Sequence, residues 1–316
     1  MRMFTLAASF MAFGLPAFAG EMIDSQVDIK GIKQIELVVP SGNVVVRGGD
    51  NQQIQITGEL APSAKEWVFE KQGNKLVAEV RMPKNWDHDE PGSSIDVSLP
   101  VNISLDAEGV TTSFAINNLK GDLEVGTVTG KLTLNSIKGD VEAESVSGNI
   151  VATQLDGEIE LASVSGEITG ERLMGKGDYA SVSGDLTLLQ VGPEVDVETV
   201  SGDIKLQSPS LNQLSLETVS GSIDANVLQL INDAEIEVDT VSGSVALHLP
   251  QSAVLKMKLE TGPGGKIVNK LNDASIDISK YSRSASMRFE PRNSQGQLEL
   301  HTISGTLTLS PSSNQL

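Results

Sequence analysis

Acidic residues recur in this sequence at a fixed interval. Glu124, Glu142, Glu160, Asp178 and Asp196 stand 18 residues apart. Asp122, Asp140, Glu158 and Glu194 repeat at the same interval two residues earlier, with Lys176 in their series. Carboxylate oxygens are ligands for hard cations, and Ca²⁺ takes several of them. If 18 residues make one turn of a repeating structure, each series stacks as a column spaced at about 4.8 Å. Two carboxylates at that distance repel by about 0.9 kcal/mol in a water-like dielectric. A cation bridging neighbouring turns would relieve the repulsion, and so would a basic protein surface. The plainer reading is a solvated face that keeps a flat sheet soluble. The matching positions of the alternate half-turns are Thr133, Val151, Thr169, Thr187 and Lys205, so the acid gathers on one face. Glu237 and Glu299 continue the first column, and Ser215 interrupts it.

Other residue sets carry less chemistry. Calcium-binding nonapeptide rolls hold their ion in a G-G-x-G-x-D turn, whereas the turns here have a single Gly. Ser and Thr form two further columns, Thr127, Ser145, Ser163, Ser181, Thr199 and Thr129, Ser147, Ser165, Ser183, Ser201. Ice or glycan binding is one reading of them. The other is that one column bonds backbone at an inward corner while its neighbour sits in a turn that favours Ser. Asn85-Trp86-Asp87-His88-Asp89-Glu90 has metal-ligand residue types, but consecutive loop residues seldom converge on one ion. His88, His248 and His301 are far apart, and no Gly-x-Ser-x-Gly, phosphate-loop or His-Glu-x-x-His motif occurs. Enzymes of β-helix type that act on acidic polysaccharides need a basic groove, which this acidic face does not offer. The expectation is a chain without an enzymatic active site.

The elements that position these residues follow from an internal repeat. Leu119, Ile137, Leu155, Leu173 and Val191 alternate, nine residues apart, with Val128, Val146, Val164, Val182 and Val200. A Gly follows most of them by two, and further apolar residues follow by four and six, with Gly177 and Gly170 as exceptions. Alternation with period two after each Gly reads as a half-buried strand, and the Gly reads as the residue that makes the tight turn. Ser/Thr-Val-Ser/Thr-Gly returns every 18 residues from Thr127 to Gly202, then at longer intervals at Thr218, Thr240 and Thr302. The fold class expected is therefore all-β: a parallel β-solenoid of 18-residue coils, each with two strands and two turns.

Residues 119–250 make the regular solenoid. Residues 20–118 read as a less regular N-terminal cap, with strands at Ile35–Val39 and Val44–Val46 and a hairpin turning at Gly73-Asn74. Residues 251–316 read as a C-terminal cap of coils with longer loops. Ser94–Pro100 and Ser244–Pro250 resemble one another, and both read as coils. Atypical ends are expected because a bare solenoid end exposes unpaired strand edges. Residues 1–19 have the form of a signal peptide: Arg2, an apolar run from Phe4 to Leu15, and Ala17-Phe18-Ala19 as a cleavage site. No Cys follows for lipid attachment, and no later run is long and apolar enough to span a membrane. A periplasmic or secreted product is expected. Without Cys it must hold its fold by packing and backbone pairing. Beyond the leader, 22 Lys+Arg face 42 Asp+Glu, which argues against nucleic acid and anionic lipid as direct partners.

The Ser-Val-Ser-Gly-[DE]-[IL] repeats, with Glu260-Thr261-Gly262-Pro263-Gly264-Gly265 ahead of a last Ser304-Gly305 coil, resemble a bacterial family of unknown function labelled "putative adhesin". The resemblance covers roughly residues 30–312 and implies a parallel β-solenoid of the cell envelope, related to adhesin-like head domains. It brings no functional residues with it. Three readings follow: an exported, non-catalytic binding module; a structural scaffold or spacer of the envelope; and a polysaccharide-active enzyme acting through the loops at 84–94 and 262–296.

Overall fold

The computed structural model describes residues 20–86 and 90–313. The expected leader and three residues of the Asn85–Glu90 run, Asp87 to Asp89, lie outside them. The described residues are all-β, with 27 strands joined in one hydrogen-bonded network. Through the middle of the chain the pairing is parallel and each residue meets the one 18 positions on. Glu124 is opposite Glu142, Glu142 opposite Glu160, and Leu132 opposite Ile150. The 18-residue coil is thus the structural unit. Each strand alternates, as in Leu123 in, Glu124 out, Val125 in, and the inward rows stack into one continuous core.

Two features of the coil depart from the sequence reading. The second strand does not run straight to its turn. Asn118, Ser136, Gln154, Arg172 and Gln190 all take left-handed φ between 55° and 58°. Each bends the chain into a short third side, where Ile137-Lys138 pairs with Leu155-Asp156. None is Gly and the residue type changes from coil to coil, so no recurrent turn signal marks the corner, and the conformation is uncommon for all but the Asn. In Ile150–Ser163 the strand runs through the bends without a break.

The two nine-residue halves are also unlike. Leu119, Ile137, Leu155, Leu173 and Val191 are buried, whereas Val128, Val146, Val164, Val182 and Val200 are 40–46% exposed. Strand parity is the cause. Val125 points in, so Thr127 points in and Val128 must point out. The Gly that closes this corner does not serve a left-handed φ. A Cβ on Gly166 would stand 2.0 Å from the carbonyl oxygen of Gly148, in the coil before it. Close approach of stacked backbones excludes a side chain there.

The two exceptions in the apolar repeat have a packing reason. A Cβ on Gly177 would lie 2.2 Å from the Tyr179 hydroxyl, and one on Gly170 would lie 2.5 Å from Leu173 Cδ1. Each glycine clears room for a larger neighbour.

Coil order departs from chain order at both ends. Gln34–Val38 lies between Lys75–Arg81 and Ser104–Glu108. Gly296–Thr302 lies between Leu230–Thr240 and Lys256–Thr261. Antiparallel strands then cover outer edges: Glu66–Gln72 on Lys75–Arg81, Gln53–Glu59 on Ser93–Pro100, and Ala285–Phe289 on Lys256–Thr261. The first is the expected hairpin, with Gln72 opposite Lys75 across Gly73-Asn74. Ser93–Pro100 is the outermost parallel strand of its side, while Val245–Leu249 is internal, between Ile223–Val227 and Thr306–Pro311.

Candidate binding face

The strands that carry the acids are parallel and in register, so their outward residues form straight columns. Asp106, Glu124, Glu142, Glu160, Asp178 and Asp196 follow one another in pairing order. Ser215, Glu237 and Glu299 extend the column. All five acids singled out in the sequence are therefore brought together. Lys176 bonds Glu158 at 3.3 Å and Asp178 at 3.0 Å. Lys75 holds Glu36 at 2.7 Å beyond one end, and Lys258 lies 3.6 Å from Glu299 at the other. Among the described residues, Glu124, Glu142 and Glu160 have no basic side chain within ion-pairing distance. Partial burial, then the carboxylates of Glu124, Glu160 and Glu144, raise the Glu142 pKa above the ordinary carboxyl value. Asp106 and Glu217 are raised for the same two reasons, burial first.

Two residues along each strand lies a second outward column: Gly126, Glu144, Ala162, Ala180, Glu198 and Glu217. Two further stands the exposed valine of the corner. Acids, a floor of mixed and often small residues, and valines thus run side by side along the solenoid. The second column and the valines line a trough of about 1270 Å³ from Gly109 to Ile303, and of the first column Asp106, Glu124 and Glu142 reach it. The valine ridge was hidden in the sequence because its residues look like core. Counting parity from Val125 was the signal that would have found it.

The Ser and Thr columns separate by role. Ser145, Ser163 and Ser181 are buried and accept the N–H of Gly148, Gly166 and Gly184, each at 2.8 Å. Ser147, Ser165 and Ser183 are exposed beside the valines. His301 points outward, 3.6 Å from Glu299 and 3.8 Å from Glu260. Among the described residues no three His, Asp or Glu side chains gather as a metal site requires.

On another side of the coil, Ser310 Oγ lies 2.7 Å from His248 Nδ1, and His248 Nε2 lies 3.3 Å from Asp224. Sequence reading missed this chain because its members are scattered and meet only through stacking. It has the residue types of a nucleophilic relay. However, Asp224 is 62% exposed, and the N–H of Ser312 is already given to Leu249. Strand backbone engaged in ladder bonds offers no donor pair for an oxyanion. The three residues make an ordinary cross-strand contact on an open sheet.

Comparison with solved structures finds similar chains at low identity. A "putative lipid binding protein" of Parabacteroides distasonis is 16% identical, covering 72% of this chain and 97% of that one, with a TM-score of 0.46. A "putative cell adhesion protein" of Clostridium sporogenes is 11% identical, covering 92% and 99%, with a TM-score of 0.24. A "putative adhesin" of Bacteroides fragilis is 13% identical, covering 92% and 97%, with a TM-score of 0.33. Likenesses of this degree carry no argument about function. No curated protein matches. The family model described as Toastrack DUF4097 matches residues 32–310, which include the trough, and the chain belongs to that family.

Proposed function

We propose that this chain is an exported, non-catalytic binding module that works through the trough face. One observation carries the reading. Stacked coils present a carboxylate column, unpaired at Glu124, Glu142 and Glu160 among the described residues, and an exposed apolar ridge, parallel and in register, on the same face. A column of like charges is costly to hold, and an apolar row in water is costly to expose. A partner that covers both removes both costs. Export is supported by the leader-like form of residues 1–19. The partner is sought among basic components of the cell envelope or surface. A spacer role is favoured by a different observation: Ile278 and Tyr281, in the C-terminal cap, are 71% and 100% exposed, and end contact would cover them.

Co-sedimentation of the purified chain with cell-envelope fractions tests the reading, with calcium or chelator at matched ionic strength. Binding that is lost in the variant Glu124→Gln/Glu142→Gln/Glu160→Gln supports it. Equal sedimentation of variant and parent moves the working surface away from the trough. Dependence on calcium would assign the acids to a bridging cation instead of a basic partner.

A further inference from the structure

Resting on the binding-module reading, we propose that the trough receives a basic amphipathic α-helix presented by a partner protein. Its dimensions select a helix. The acid column and the valine ridge are four residues apart in each coil, as Glu124 and Val128 are, the valine standing just past the strand's end, a span of up to about 13 Å at ~3.3 Å per residue. A helix with its side chains is about 10–12 Å across and reaches both walls at once. A single extended strand, about 5 Å wide in the sheet direction, leaves one wall bare.

Length agrees with width. The valine row is joined coil to coil by backbone bonds, Thr129 to Val110, Ser147 to Val128, Ser165 to Val146, and so on to Ser304 on Val241. From Val110 to Ile303 it crosses about eight coil steps, roughly 38 Å at ~4.8 Å each. A helix of about 25 residues has that length.

Charge fixes the chemistry of the occupant. One wall is carboxylate at its start, where Glu124 and Glu142 line the trough with no basic side chain within ion-pairing distance among the described residues. The other wall is valine. The floor is small at Gly126, Ala162 and Ala180, and acidic at Glu198 and Glu217. A helix with one apolar stripe and one edge of Lys or Arg places each stripe against its complement. Burial and like charge raise the pKa of Glu142 and Glu217, a strain that a cationic edge relieves. An anionic membrane surface or a nucleic acid would meet the same acids with repulsion.

The test uses a synthetic probe and the full chain. The probe is an end-blocked peptide of about 25 residues, with leucines on one helical stripe and lysines on the other. A scrambled peptide of the same composition and a copy with Glu in place of Lys are the controls. Binding is read by fluorescence anisotropy and by gain of helical circular dichroism. The parent chain is expected to bind the probe saturably and induce helix. The scrambled peptide should bind at least about tenfold more weakly, and the Glu copy not at all. Two variants, Glu124→Gln/Glu142→Gln/Glu160→Gln and Val146→Ser/Val164→Ser/Val182→Ser, should each weaken binding at least about tenfold. Their folding is checked by thermal melts, and the peptide controls do not depend on it.

The proposal is overturned by no saturable binding to the parent chain, by equal binding of the scrambled peptide, or by full binding of the probe to the valine variant. Salt-sensitive self-association of the chain that is lost in the valine variant also overturns it, because a second copy would then fill the trough. If the chain binds envelope fractions through the trough but ignores the probe, the helix falls and the binding-module reading stands. If neither binds, both fall.

Discussion

Replacing Gly166 with alanine tests how the coils are stacked. The added methyl carbon would sit 2.0 Å from the Gly148 carbonyl oxygen, 2.6 Å from its carbon and 2.9 Å from Ser163 Oγ. The first two are backbone and cannot swing aside. The coil must lift by more than 1 Å, on the order of the gap between 2.0 Å and a normal contact of about 3.5 Å. Overpacking of this kind costs about 1–3 kcal/mol. The lift also weakens the Gly166 N–H bond to Ser163, 2.8 Å long, at about 1 kcal/mol. The expected loss is about 2–4 kcal/mol. Gly126 is the control. It is outward, has nothing within 4 Å of the Cβ position and keeps an ordinary φ. Gly126→Ala should leave stability unchanged or raise it by about 0.5–1 kcal/mol. Urea unfolding followed by circular dichroism, with hydrogen exchange across neighbouring coils, reads both. If the two variants unfold within about 0.5 kcal/mol of each other, the close approach of stacked backbones is not what reserves the corner for Gly.

Further outcomes follow from the same geometry. Ser163→Ala removes the acceptor for the buried Gly166 N–H and should cost about 1–2 kcal/mol, read from the urea midpoint. Tyr179→Leu empties the space that Gly177 leaves for the ring and should cost about 1–3 kcal/mol, with Gly177→Ala in the same variant recovering part of it. Glu142→Gln should raise stability at neutral pH by a few tenths of a kcal/mol, about the scale of an exposed charge contact. The sign follows from a folded pKa above the unfolded one. The fold binds that proton more tightly, so the contribution is full below the unfolded value and is lost as pH rises through the folded one. The gain from Glu142→Gln should therefore vanish in acid, as parallel melts across the carboxyl range would show. Burial raises the Tyr179 phenol likewise, so stability should fall as pH climbs past about 10, and Tyr179→Phe should remove that slope.

The coil was legible because stacking makes like residues recur, and an 18-residue period with period-two alternation leaves little choice of fold. The acid column was legible for the same reason. The third side of the coil was not, since its corner is turned by a different residue type in each coil, such as Ser136, Gln154 and Arg172, with no recurrent turn residue. The valine ridge was not legible from residue type alone, because parity and not apolar character sets its side. Val128 follows an inward Thr127, and that neighbour decides its side. The exchange of coil order at both ends, and the meeting of Ser310, His248 and Asp224, depend on which strands become neighbours. A loosened repeat does not encode that choice in its spacing.

The central claim is that the trough face, and not the solenoid at large, is the working surface. The most direct measurement is envelope co-sedimentation of three variants side by side: Glu124→Gln/Glu142→Gln/Glu160→Gln, Val146→Ser/Val164→Ser/Val182→Ser, and Thr133→Gln/Thr169→Gln/Thr187→Gln on the other long side of the coil. The account predicts that the first two lose binding and the third keeps it. Loss in the third with retention in the first two would contradict it.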